Sequence, residues 1–174
     1  DSRSTTSGAT GLAGALVDSA AAVLAGRREQ IEVATACVLA GGHVLAEDIP
    51  GVGKTLLAQT LAASLGGTFH RVQGSADLLP SDVVGSLAPT ADGFGLHFRP
   101  GPVFANVVLF DELNRANPRT QSALLEVMEE GRVTVDGHTH AVPAPFVVMA
   151  TQNPVEMAGT PKRSPSSWRS QRPM

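Results

Sequence analysis

The chain has 174 residues, 43% of them hydrophobic, and a formal net charge of -3. These values suit one domain with a real core, exclude a disordered composition and argue against a general nucleic-acid binder. One cysteine, Cys37, excludes an internal disulfide or a cysteine cluster and makes a cytoplasmic setting the default, and no run reaches the roughly eighteen apolar residues of a membrane span.

Residues 1–10 are rich in Ser, Thr and Gly and are expected to be a flexible N-terminus. Residues 11–25 read as a small-residue helix and residues 27–39 as a second, which holds Cys37 as a buried thiol. His43 to Ala46 is a short apolar strand. Residues 54–65 have Leu56, Leu57, Thr60, Leu61 and Leu65 near helical spacing, and Gly66-Gly67 stops that helix. Residues 68–72 form a second strand. The segment "GSLAPTADGFGLHF" turns at Asp92-Gly93 and reads as a hairpin. Val107 to Phe110 is a third core strand. Asn117-Pro118 caps a helix that carries Leu124, Leu125, Val127 and Met128 inward. "RVTVDGHTHAV" is a second hairpin, turning at Asp136-Gly137, and residues 146–150 are a fourth core strand. Strands and helices in this rhythm predict an α/β fold with a mostly parallel sheet covered on both faces.

The stretch "HVLAEDIPGVGKTLLAQT" places two glycines, a lysine and a hydroxyl between a strand and a helix. Glycines let backbone N–H groups approach a phosphate, and the helix start adds its positive dipole end. Lys54 is suited to the β- and γ-phosphates of a nucleotide and Thr55 to Mg²⁺. Asp48 stands where the strict phosphate-loop pattern has glycine. "VVLFDE" then supplies the expected second element: Asp111 to orient the Mg²⁺ shell and Glu112 to polarise the attacking water. "FVVMATQN" brings Asn153 to the end of a further strand, suited to the γ-phosphate or that water. Arg115 fits either a contact with a neighbouring subunit or a surface salt bridge. His138 and His140 share one strand face, and two such residues without a third read as an exposed polar face rather than a metal site.

These pieces, with "LLPSDVVGS", "FRPGPVFAN", "DELNRANPRTQSALLEVMEEGRVTVDG" and "ATQNPVE", resemble the MoxR family of AAA+ ATPases over most of residues 27–159. The resemblance implies an AAA+ P-loop NTPase core over residues 11–160, with both hairpins as insertions facing the central pore of a hexameric ring. It implies ATP and Mg²⁺ as cofactors, bound by Asp48, Pro50, Gly51, Val52, Gly53, Lys54, Thr55 and Leu56. Thr55 and Asp111 are then the metal-holding residues, and Lys54, Glu112 and Asn153 the catalytic ones. Asp48 is usual in this family at its position. The family also implies chaperone-like remodelling of a client protein, often beside a partner with a von Willebrand factor A domain. The pair Gly74-Ser75 departs from the family's bulky or β-branched residues and is expected to loosen the second strand.

From residue 161 the chain reads "PKRSPSSWRSQRPM", with four basic residues, no acid and no period, and is expected to be a disordered basic tail. The family's arginine-finger segment, last core strand and helical lid do not follow, so a truncated or frame-shifted end is expected. The alternative function is therefore a nucleotide- or partner-binding module without significant turnover.

Overall fold

A computed structural model describes residues 14–22, 28–47, 53–152 and 168–171. Residues 1–13, which include the expected flexible N-terminus, lie outside them.

The strand β5 (Val107–Asp111) explains the architecture. Its first four residues are apolar without alternation, and all four are buried. A strand buried on both faces needs a covered layer on each side, and each such side chain contributes about 1.5–3 kcal/mol. On one side lie α1 (residues 14–22), α2 (Arg28–Leu39) and α3 (Lys54–Ser64), whose Val17, Ile31, Leu57 and Leu61 form one core cluster with Leu109 and Met149. On the other lies α5 (Pro118–Glu130), whose Leu124 and Val127 pack with Val108, Phe110 and Val148.

The central sheet is formed by β1 (His43–Glu47), β2 (Phe69–Gln73), β5, β8 (Val147–Gln152) and β9 (Trp168–Gln171), in the order β2-β5-β8-β1-β9. The pairs β2–β5, β5–β8 and β8–β1 are parallel, so these four strands all end at one edge of the sheet. Two separate hairpins project from this core: β3 (Gly85–Pro89) with β4 (Leu96–Pro100), and β6 (Arg132–Val135) with β7 (His138–Ala141). The second closes through Asp136 and Gly137, both at positive φ (50° and 75°), as a type I′ turn requires.

Three expectations need correction, and one element was not foreseen. The stretch read as a disordered tail contributes β9, antiparallel to β1, with Ala46 opposite Trp168 and His43 opposite Gln171. An open strand edge offers unpaired N–H and C=O groups to any extended segment, whatever its side-chain pattern. Backbone pairing of this kind leaves no periodic signal. The position beside β1, expected to be left open by a missing last core strand, is thus filled. Leu125 is not inward-facing but substantially exposed; Leu56 is exposed too, while the small Ala58 and Ala62 are buried. Helical phase, rather than residue size, decides the buried stripe. The short helix α4 (Pro80–Val84) was not foreseen; Asp82 caps it by accepting from the Leu79 N–H at 2.9 Å. Gly74 does not loosen β2, as the geometry of the site shows.

Candidate functional site

The sheet edge where β1, β8, β5 and β2 end carries the candidate site. Of the residues expected in the phosphate loop, Gly53, Lys54, Thr55 and Leu56 are described; Asp48, Pro50, Gly51, Val52 and Asn153 lie outside the described residues. Gly53 has φ 66°, the left-handed conformation, and stands as the N-cap of α3 without a side-chain hydrogen bond. The first intrahelical bond there runs from Leu57 N to Gly53 O at 2.8 Å. The N–H groups of the first turn therefore have no acceptor within the helix and point out of its start. Lys54 and Thr55 are both half-buried in that turn.

Asp111 and Glu112 stand at the end of β5, two strands from β1 across β8. The Asp111 carboxylate is 14% exposed. Its Oδ2 accepts from Arg71 Nε at 2.7 Å and its Oδ1 from Thr151 Oγ1 at 3.3 Å. Glu112 adopts φ 55° and ψ 49°, a left-handed conformation uncommon outside glycine. Its Oε2 accepts from Gln73 Nε2 at 2.7 Å and from Arg115 Nη1 at 2.8 Å, and its N–H donates to Thr151 Oγ1 at 2.9 Å. Arg115 thus forms the salt bridge within its own chain, one of its two expected roles.

Gly74 makes this backbone arrangement possible. Its N–H donates to Asp111 O at 2.7 Å. A Cβ built on it would lie 2.2 Å from Glu112 O and 2.9 Å from Glu112 C. Any larger residue would collide with the backbone of the acid pair, so glycine is required here by close approach.

Arg71, Gln73, Gly74 and Thr151 were not singled out as site residues from the sequence. The first three lie 37 to 40 positions from the acids they touch, and only the β2–β5 register brings them together. Thr151 had a local signal: it stands near the end of β8, two positions before Asn153 in the sequence.

The histidine pair is resolved differently on each side chain. His140 stacks on Phe98, with ring centroids 3.9 Å apart and planes 14° apart, which joins the two hairpins. His138 is exposed. Among the described residues no group of three or more His, Cys, Asp or Glu could hold a metal ion. Cys37 is buried, its Sγ donates to His43 O at 3.0 Å, and burial raises its pKa above the ordinary thiol value. That is the environment of an inert structural thiol.

Residues 43–167 match the family model described as "ATPase family associated with various cellular activities (AAA)". The chain is 54% identical over 149 residues to the uncharacterized protein YeaC of Bacillus subtilis, covering 86% of this chain and 47% of YeaC. It is 45% identical over 137 residues to the chaperone MoxR1 of Mycobacterium tuberculosis, covering 79% of this chain and 36% of MoxR1. A crystal structure of a Cytophaga hutchinsonii protein assigned as an ATPase superposes with a TM-score of 0.73 at 36% identity, covering 93% of this chain and 50% of that one. The chain spans about half the length of these relatives or less.

Proposed function

This chain belongs to the MoxR family of AAA+ ATPases, and we propose that its turn from β1 into α3 binds ATP with Mg²⁺. The observation that carries this reading is the placement of Asp111 and Glu112, held in a hydrogen-bonded network at the same sheet edge where α3 begins. The groups present suit the ligands. The uncapped first turn of α3 offers N–H donors and a positive dipole end to phosphate. Mg²⁺ is commonly held by one or two carboxylates together with substrate phosphates and water. The hydroxyl of Thr55 and the largely buried carboxylate of Asp111 provide oxygen ligands of that kind. When bound, the cation neutralises charge on the β- and γ-phosphates.

In this reading Lys54 pairs with those phosphates, with Asp48, Pro50, Gly51, Val52, Gly53 and Leu56 forming the rest of the cradle. Glu112 accepts a proton from the attacking water, and Asn153 orients that water. In this reading the protein hydrolyses ATP as a hexameric ring. The ring remodels or matures client proteins in the cytoplasm, beside a partner with a von Willebrand factor A domain. The name of the relative MoxR1, a chaperone, supports the remodelling role.

Titration with a fluorescent ATP analogue in the presence of Mg²⁺ tests the binding step. Lys54→Ala should weaken binding by about 1.5–3 kcal/mol, the scale of a charge-assisted hydrogen bond. Equal affinity in the two proteins would overturn the reading.

A further inference from the structure

Arg71 occupies an oxygen that the nucleotide reading assigns to a cation. Its Nε lies 2.7 Å from Asp111 Oδ2, while the other carboxylate oxygen accepts from the buried Thr151 hydroxyl. A carboxylate has about four lone-pair sites, so the two bonds leave room for a further ligand. Charge is the stronger constraint. A guanidinium stays protonated at every working pH, and a positive group at hydrogen-bond distance repels an incoming divalent ion.

The two partners of Asp111 differ in how easily they can leave. Thr151 is 4% exposed and also accepts from the Glu112 N–H, so it is fixed from two sides. Arg71 is 54% exposed and stands on β2, the outermost strand of the sheet on that side. Its side chain can swing into water more readily than Thr151 can move, because the guanidinium side of the pair is already half in solvent while the carboxylate stays in place.

We infer that Arg71 competes with the divalent cation for Asp111 and so sets the Mg²⁺ concentration at which the site fills. The inference rests on the reading of Asp111 as a cation-holding residue. It makes Arg71 a positioning residue: it acts on the carboxylate and touches no reacting atom.

The test needs no turnover. The Mg²⁺ concentration giving half-maximal binding of a fluorescent ATP analogue is measured for the full chain and for Arg71→Gln, Arg71→Lys and Asp111→Asn, after circular dichroism establishes that each is folded. Arg71→Gln should lower that concentration about 1.4- to fivefold, the ratio that corresponds to the weak-ion-pair range for a pair with one exposed partner. Arg71→Lys, which retains the charge on a less directional donor, should give a smaller decrease. No shift in either variant, or a shift to higher Mg²⁺, overturns the inference. Asp111→Asn separates the two levels. If it abolishes the Mg²⁺ dependence while both Arg71 variants match the parent, the competition fails and the cation site stands. If it leaves the dependence unchanged, the cation site fails and the competition fails with it.

Discussion

At the edge where the parallel strands begin, neutral polar groups do the joining. His43, 7% exposed at the start of β1, accepts from Val148 N through Nδ1 at 3.0 Å. Its Nε2 then carries the proton and donates to Met128 O at 3.1 Å. Asn106, just before β5, accepts from Thr68 N at 2.9 Å and donates to Pro145 O at 3.0 Å, which stitches the starts of β2, β5 and β8. At the opposite edge the groups are charged and partly open to water: Arg71 with Asp111, and Gln73 and Arg115 with Glu112. Where such neutral bonds are buried, as at His43, they favour stability, because removing one partner leaves the other unsatisfied. Charged groups at a wet edge contribute less to stability but can exchange partners. The edge suited to holding the fold and the edge suited to chemistry are thus opposite ends of the same strands.

The sharpest way to break this comparison is Glu112→Gln. It preserves size and one acceptor oxygen but removes the carboxylate that the proposed function assigns as the base. In that proposed reaction phosphate release should fall about 10²- to 10⁴-fold, the range of general-base catalysis. Binding of the ATP analogue and the urea midpoint should stay near the parent values. A large loss of stability would mean that the charged edge also holds the fold.

Gly74→Ala should disturb both properties at once, because its Cβ would strike the Glu112 carbonyl. Urea denaturation should show a loss of about 1–3 kcal/mol, typical of overpacking, together with lower phosphate release. An alanine variant as stable and active as the parent would show that the β2–β5 approach is looser than described.

Asn106→Ala probes the other edge. It removes the partner of the Thr68 N–H and of the Pro145 carbonyl, both exposed enough for water to replace it, and should cost about 0.5–1.5 kcal/mol in urea denaturation. Affinity for the ATP analogue should be unchanged in the folded protein. Weakened binding by folded Asn106→Ala would mean that the two edges are coupled through the strands.

The mildest expected effect is on pH. Burial lowers the His43 pKa below the ordinary imidazole value, against a smaller opposing effect of the Met128 carbonyl. The folded protein therefore keeps the ring neutral while the unfolded chain protonates near pH 6.5. Its stabilising contribution is full above that pH and is lost as pH falls toward the lowered folded value. Thermal melts from pH 7.5 to 5.5 should show a declining midpoint, and His43→Gln should flatten the decline. An equal slope in both proteins would place the acid sensitivity elsewhere.

Features that depend only on neighbours along the chain are legible in the sequence itself. The run "VVLFDE" marks a doubly buried strand ending in two acids, because four apolar residues without alternation fit little else beside turn signals. Asn117-Pro118 marks a helix start, and the Asn117 side chain does accept from Thr120 N. Asp136-Gly137 marks a hairpin because few residues tolerate two successive positive φ angles. Strand register is different: it depends on the whole core. Only the alignment of Gln73 with Asp111 reveals why residue 74 must lack a side chain, and only there does Arg71 meet a carboxylate 40 positions away. The same holds for the His140–Phe98 stack, which forms where two independent hairpins lie side by side. It holds also for β9, whose pairing uses backbone groups that every sequence possesses. Local patterns carry propensity and turn geometry, whereas contacts between distant segments arise only once hydrophobic burial has set which strands adjoin and in what register.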